Sequence, residues 1–489
     1  MHIHAKGEVI DTIDTPNNNQ EQTVKVRAAG GAGRYSVDVT VACNINQLSA
    51  TEAFQVPFKV FSFDLETSIK YESVLCAAAW IEDMGTGVRQ KYALEGDESH
   101  ILEQLTLIVR SQDPDIITGY NIDNFDLPRL RDRTEELSKK GGWRRKAALF
   151  GWGRVEQSET EYKRGRTGLL PKRQSNRAWN VAGRSVVDAW WQTRMTIRPQ
   201  RETLSYVAKL LFPDDSERHK MDVDASKMDD EWAARPDVVM EYCIRDAELP
   251  LDILEELQAI RRKEATAAVA KVSFDTAANG SSSQLVDSLI IRLADRENVA
   301  VPLTGSAEPK EGQITGGYVH DVEAGLHPWI AVLDFKSMYP SIMIGKNVCY
   351  TTRIDPIQSD QPADGEPIHE SPERVRFRHQ SVRKGLVPTL LENLMAQRDV
   401  HKAALKVAKG SNDSAGIMFH DSMQYAVKIL MNTFYGVFAG FYRFTHRDLG
   451  SSITAWARRN IKEIITQLDI EGHHVVYSDT DSIFVRSPV

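Results

Sequence analysis

Asp64 and Glu66 stand two apart in the run Val60-Phe61-Ser62-Phe63-Asp64-Leu65-Glu66-Thr67. Alternate residues of an extended chain face one way, so both carboxylates share a strand face, which suits a common metal better than a core. Asp334 closes the apolar run Trp329-Ile330-Ala331-Val332-Leu333, while Asp479 and Asp481 crowd a polar turn between Val475-Val476-Tyr477 and Ile483-Phe484-Val485. Like charges packed this closely destabilise a turn unless a cation sits among them. If the two stretches are sheet neighbours, Asp334 and Asp481 can share a pair of divalent ions, which clamps the attacking and leaving oxygens of a phosphoryl transfer. Taken one at a time, an aspartate that caps a turn and two in a solvated loop account for the same letters.

Each of these acids needs an element to hold it. The 60–67 run predicts an apolar strand, and the 475–485 stretch a hairpin. The Asp334 run predicts a buried strand, which Pro340 halts, leaving Ser337, Met338 and Tyr339 on a stiff bend beside the acid. Asp115-Ile116-Ile117-Thr118 is a short strand whose glycine turn leads through Asn121, Asn124 and Phe125 to Asp126 at a helix start. Tyr242 and Asp246 lie four apart on a helical stretch and share a face. A further helix is expected from about residue 250 to 272, with a domain boundary in the small polar residues 277–283.

Two more helices carry cations. Residues 387–409 have Pro388 in the first turn and a Leu390, Leu391, Leu394 stripe, with Arg398 and Lys402 on one face. Residues 423–438 pack Val427, Leu430, Met431 and Phe434 inward and set Lys428, Asn432 and Tyr435 on the other side, followed by Gly436. Arg398, Lys402 and Lys428 could cradle a triphosphate, although two amphipathic helices with basic outer faces can also be no more than that. Residues 143–177 are basic within an acidic chain: Arg144-Arg145-Lys146, Lys163-Arg164-Gly165-Arg166 and Lys172-Arg173, interleaved with Trp152 and Tyr162. They form either a loop or hairpin facing phosphates or a solvated insertion. Gly316-Gly317, before Tyr318, would let the backbone approach a phosphate or another chain. Residues 355–373 read as a loop insertion.

At 489 residues the chain exceeds one core and should divide into three or four units. Its net charge of −8 excludes indiscriminate nucleic-acid binding by the whole surface but leaves room for local basic grooves. Four dispersed cysteines argue against a disulfide framework or a zinc site, and hence for a reducing cytoplasm. No apolar run nears the roughly 20 residues of a membrane span, and the start lacks the order of a signal peptide. Residues 1–55 alternate polar and β-branched residues, as in Thr23-Val24-Lys25-Val26, and predict a small antiparallel β unit.

Together these motifs resemble family B DNA polymerases that carry a proofreading exonuclease, and 432–482 looks similar to bacterial DNA polymerase II and its archaeal relatives. Asp64-Leu65-Glu66, Asn121 to Phe125-Asp126, and Tyr242 with Asp246 resemble the three exonuclease motifs. Asp334 to Ser341, Lys428 to Gly436 and Tyr477 to Ser482 resemble the polymerase motifs; Gly316-Gly317-Tyr318 resembles the linker between the activities. The resemblance implies a multidomain protein of mixed α/β and α+β class. Its parts are a β-rich N-terminal domain at 1–55, an RNase H-like 3′→5′ exonuclease at 56–265 and a linker returning to the N-terminal domain at 266–325. Palm follows at 326–385, helical fingers at 386–445 and a second palm part at 446–489, after which the thumb is missing.

The resemblance also implies roles. Asp334, Asp481 and the Phe335 carbonyl would hold two Mg²⁺ ions, with Mn²⁺ as an alternative and Asp479 in support; these ions would activate the primer 3′-hydroxyl and neutralise the triphosphate. Arg398, Lys402, Lys428 and Asn432 would grip the nucleotide, together with Ser337 and Met338, and Lys428 would protonate the leaving group. Tyr339 would exclude a 2′-hydroxyl; Tyr435 and Gly436 would line the nascent base pair. Asp64, Glu66, Asp126 and Asp246 would bind two further ions, and Tyr242 would orient the attacking water. Gly316, Gly317, Tyr318, Asn121, Phe125, Arg164 and Arg166 would touch DNA. Ser478, where the family usually has Gly or Ala, and Thr433, where it often has Ser, depart from the pattern without excluding activity. Expected partners are primer–template DNA, deoxynucleoside triphosphates, a second polypeptide supplying the thumb and a sliding clamp, at the cytoplasmic nucleoid, in replication or repair. An exonuclease-only protein and a non-catalytic DNA-binding subunit are the alternatives.

Overall fold

The computed structural model describes residues 54–156, 159–165, 168–175, 178–218, 223–303, 314–355, 361–440 and 443–487, with short strands inside 3–50. Those strands pair antiparallel, Ile3–Ala5 with Leu48–Ala50 and Glu8–Thr12 with Val39–Ala42, as the alternation there predicts. Thr23 to Val26 lie outside the described residues. The chain divides into two units, residues 1–264 and 265–489.

The first unit is built on five strands: β1 (Lys59–Thr67), β2 (Val74–Asp83), β3 (Val88–Glu95), β4 (Ile116–Thr118) and β5 (Ser185–Val186), in the order β5-β4-β1-β2-β3. β4 runs parallel to both β1 and β5, whereas the β1-β2-β3 meander is antiparallel. Central β1 is buried on both faces, and its two faces meet different partners. Phe61, Phe63 and Leu65 join the core with Trp152 and with helix α1 (Glu98–Gln112). Trp152 lies edge-on to Phe61 and Phe63, with ring centroids 5.6 and 5.2 Å away.

The opposite face carries Ser62, Asp64 and Glu66 and receives helix α4 (Pro236–Glu256), which follows α2 (Asp126–Leu137) and α3 (Ala189–Thr196). Small residues on the neighbouring strand, Cys76 opposite Glu66 and Ala78 opposite Asp64, let that helix come close. Ser62 Oγ donates to the Ala247 carbonyl at 2.6 Å, and Trp80 Nε1 to that of Ile244 at 3.1 Å. Pro250, expected to open a new helix, lies inside α4; the break falls instead after Leu257, at Gln258, whose φ is 49°.

The second unit has a three-stranded antiparallel sheet of β6 (Ile330–Asp334), β7 (Val475–Asp479) and β8 (Ser482–Arg486), with β8 in the centre. Its helices include α5 (Met338–Gly345), α6 (Leu386–Gly410), α7 (Ser414–Ala439) and α8 (Arg447–Ile470). Their apolar stripes, among them Leu390, Leu391, Leu394, Val427, Leu430, Met431 and Phe434, share one core with Val475, Ile483 and Val485 of the sheet.

Three expectations are corrected here. β6 is not buried: Val332 and Leu333 are 57% and 50% exposed, because β6 is the edge of a small sheet. Pro340 does not hold a bend; it sits in the first turn of α5, where its missing N–H costs no bond. Within 355–373, read as a loop insertion, Ile368–Glu370 is a strand paired with Arg376–Arg378.

Candidate active sites

In the first unit β1 offers Asp64 and Glu66 on the face that α4 covers, and α4 brings Cys243 against them. Ligand atoms of these three residues all lie within 4.8 Å of one another, and among the described residues no other trio of His, Cys, Asp or Glu does so. Cys243 donates to the Asp64 carbonyl at 3.4 Å, and burial raises its thiol pKa well above the ordinary value. A neutral thiol is a wall of the site rather than a ligand for a hard cation. One residue earlier, the 3%-exposed Tyr242 hydrogen-bonds to Asp246. Burial, then the charges of Asp246, Glu66 and Asp64, push its hydroxyl far above the usual range, so it remains a proton donor.

Asp126 is the first residue of α2 and not its cap, which is Phe125. Its carboxylate accepts the Leu65 N–H, and burial, Asp188 and Asp246 drive its pKa up to about 8. Its Oδ1 is buried with no hydrogen-bond partner. A buried acid with an oxygen to spare, beside Asp246 and close to Glu66's strand, fits a divalent cation and is costly without one.

Sequence reasoning gave Asp188 no place in the site, yet it supports the site from behind. Its carboxylate accepts the N–H groups of Asn121 at 2.8 Å, Asp123 at 3.1 Å and Trp190 at 2.9 Å. The first two bonds fix the loop into α2, where Asn121 has a φ of 66°, and the third caps α3. Gly119 is needed just before it, since a Cβ there would come within 2.6 Å of the Phe63 carbonyl. Phe125 is left 43% exposed at the mouth.

Three cations of the basic stretch are paired with acids. Arg145 pairs with Glu103, Lys146 with Glu135 and Lys163 with Glu159. Of its aromatics, Trp152 is fully buried and Trp143 stacks on Tyr162 at 6.0 Å. Arg164 is exposed just after a short helix at Glu159–Lys163, and Arg166 lies outside the described residues. Arg173, named above only within the basic run, reaches the loop, its Nη2 donating to Asn124 Oδ1 at 3.3 Å.

In the second unit Asp334 ends β6 opposite Ser482 of β8, and Phe335 N–H donates to the Asp481 carbonyl at 2.9 Å. The pairing places Asp334 beside the turn that holds Asp479 and Asp481. Burial, then the charges of Asp334 and Asp479, raise the Asp481 pKa, the response of an acid among acids awaiting a cation. Ser337 caps α5 with a φ of 54°, while the Met338 side chain is buried in the core, so only its backbone can face a nucleotide. Tyr339 lies against Tyr435 of α7, with ring centroids 4.6 Å apart. Arg398 has a buried Nε without a partner, and its neighbour Asp399 pairs with Lys336 at 3.7 Å. Lys402, Lys428, Asn432 and Gly436 are exposed on α6 and α7. Gly316, Gly317 and Tyr318 run beside the 479–481 turn, where Thr480 N–H donates to the Tyr318 carbonyl at 2.8 Å.

Comparison with known proteins places this geometry. The model for "DNA polymerase family B, exonuclease domain" matches residues 88–207, and that for "DNA polymerase family B" matches 272–489. The DNA polymerase delta catalytic subunit of Bos taurus is 31% identical over 412 residues, covering 81% of this chain and 36% of its own length. DNA polymerase 1 of Pyrococcus abyssi is 28% identical over 400 residues, covering 80% of this chain and 47% of its own. The chain thus spans under half the length of these curated relatives. The family B DNA polymerase of the archaeon Pyrobaculum calidifontis shares the fold, with a TM-score of 0.71 at 24% identity over 93% of this chain and 57% of that one. With both family models matched in their proper order along it, the chain belongs to DNA polymerase family B and carries that family's exonuclease domain.

Proposed function

We propose that the chain supplies both catalytic centres of a DNA-directed DNA polymerase with 3′→5′ exonuclease activity, dependent on Mg²⁺ and able to use Mn²⁺. The observation that carries the reading is the β6-β8 pairing, which brings Asp334 beside the Asp479–Asp481 turn although the two are over 140 positions apart in sequence. Residues 326–385 and 446–489 act as palm, and 386–445 as fingers.

When bound, the divalent ions supply activation of the primer hydroxyl and neutralisation of developing phosphate charge, held by Asp334, Asp481 and the Phe335 carbonyl in one centre and by Asp64, Glu66, Asp126 and Asp246 in the other. Asp479 adds negative charge from the turn. Arg398, Lys402, Lys428 and Asn432 bind and orient the triphosphate, and Lys428 hands a proton to the departing pyrophosphate. Tyr339, braced by Tyr435, blocks a ribose 2′-hydroxyl. Across the exonuclease centre, Tyr242 stays protonated and orients the attacking water, while Phe125 and Asn121 touch the frayed 3′ end. Primer–template DNA and deoxynucleoside triphosphates are the substrates. By likeness to relatives named as catalytic subunits, further subunits accompany the chain. No helix among the described residues is long and apolar enough to cross a membrane.

Primer extension and 3′ resection by the chain and its Asp481→Ala and Asp64→Ala variants test the reading. Loss of extension alone in the first and of resection alone in the second is expected; extension by Asp481→Ala at the parental rate would refute the polymerase assignment. Burial of Glu66, Asp126 and Asp246 at one centre, against exposed Asp334 and Asp479 at the other, favours a second reading in which this chain only degrades. That reading predicts resection without extension under any condition.

A further inference from the structure

The segment carrying Gly316, Gly317 and Tyr318 is bonded along its length to the hairpin. Thr480 N–H donates to the Tyr318 carbonyl and His320 N–H to the Ser478 carbonyl, both at 2.8 Å, and Glu323 N–H to the Val476 carbonyl at 3.1 Å. Val319 forms an antiparallel bridge with Asp479. Residues 318–323 therefore act as an irregular extra strand on the β7 edge, tied to the residues that present Asp479 and lead into Asp481.

The other side of this segment is held by α8. Arg458, with a side chain 19% exposed, donates from Nη1 to the carbonyls of Thr315 at 2.8 Å and Gly316 at 2.9 Å, and from Nη2 to Glu373 at 3.1 Å. One turn later Lys462 lies over the Tyr318 ring, 4.9 Å from its centroid. Gly317 is wedged between: a Cβ there would stand 2.8 Å from Thr480 Oγ1 and 2.9 Å from its Cγ2. The positive charge of Arg458 also reaches the hydroxyls of Tyr339 and Tyr435, opposing the rise that burial imposes on both.

We propose that Arg458 is a positioning residue of the polymerase centre: by fixing residues 315–318 against α8 it sets, through the backbone ladder, where the 479–481 turn holds its carboxylates relative to Asp334. The catalytic consequence rests on the polymerase reading above; the mechanical one rests on the fold alone. Three acceptors on one planar fork specify a single geometry, which a lysine's point charge cannot reproduce. With the fork removed, the segment gains freedom and the crowded acids of the turn splay apart, so ion binding weakens before anything else fails.

The test uses the full chain with Arg458→Ala, Arg458→Lys and Gly317→Ala. Mn²⁺ titration is run in an Asp64→Ala background, so that the exonuclease centre contributes less to the signal, and amide exchange is followed over 478–481. We expect Arg458→Ala to speed that exchange about 10-fold and to weaken Mn²⁺ binding at the Asp334 centre by about 10-fold. Arg458→Lys should fall between, and Gly317→Ala should reproduce the effect from the other side. In the chain with Asp64 intact, resection of a single-stranded oligonucleotide should be unchanged by Arg458→Ala, and nucleotide incorporation should lose kcat with little change in KM. Parental exchange at 478–481 together with parental Mn²⁺ affinity in Arg458→Ala would overturn the proposal. If that variant unfolds, Gly317→Ala decides by the same two measurements. If the parent fails to extend primers, the polymerase reading falls while exchange and Mn²⁺ binding still judge Arg458.

Discussion

Asp126 shows how much one side chain can depend on an ion. Its carboxyl is held near 8 by burial and by neighbouring acids, against 3.8 for an ordinary aspartate. In the metal-free protein the folded state therefore keeps a proton that the unfolded chain has released. The stabilisation is complete below the unfolded value and is lost as pH rises through the folded one, so metal-free stability should decline between pH 4 and 8. A divalent ion displaces that proton, and its affinity should rise over the same window, with proton release visible by calorimetry in buffers of different ionisation enthalpy. Asp126→Asn should flatten both profiles. Asp188→Ala, which strands two loop N–H groups and uncaps α3 at Trp190, should slow resection about 10- to 100-fold, a loss that Asp188→Asn should only partly repair. Asp64 and Glu66 were legible from strand period alone. Asp126 and Asp246 needed the family resemblance, and Asp188, Cys243 and Arg458 were not legible, because each acts through a contact made only when distant segments meet.

Elements were readable where their signals are local. The leucine stripe of α6 and the packed face of α7 were both found, although α7 begins at Ser414, nine residues before its expected start. Prolines misled: Pro340 read as a breaker and Pro250 as the opening of a new helix, yet one occupies a first turn and the other is carried inside α4. The exposure of β6 could not be foreseen, since its composition is that of a buried strand and only the sheet order makes it an edge. Strand β1 is set by its aromatic face, where Trp152 closes the cluster over Phe61 and Phe63. Trp152→Ala should cost about 3–5 kcal/mol in denaturant unfolding of the first unit. Because Asp64 and Glu66 ride on the same strand, that variant should also lose resection at temperatures where the parent retains it.

Across the whole molecule, two carboxylate centres lie in two compact units within a chain of net charge −8. Inactivating substitutions in one unit should leave ion binding in the other intact, and titration of Asp64→Ala and Asp481→Ala side by side would check this. If the proposed function holds, the acidic balance confines DNA to local cationic strips, and its binding should weaken steeply with added salt. The three-stranded sheet has a further consequence for handling the protein. One border is occupied by residues 318–323, whereas the other, β6, pairs with no further strand among the described residues and shows the oily side chains of Val332 and Leu333. An open rim of this kind recruits strands from other copies. Concentrated solutions should scatter light increasingly, and a lysine in place of Val332 should keep them clear.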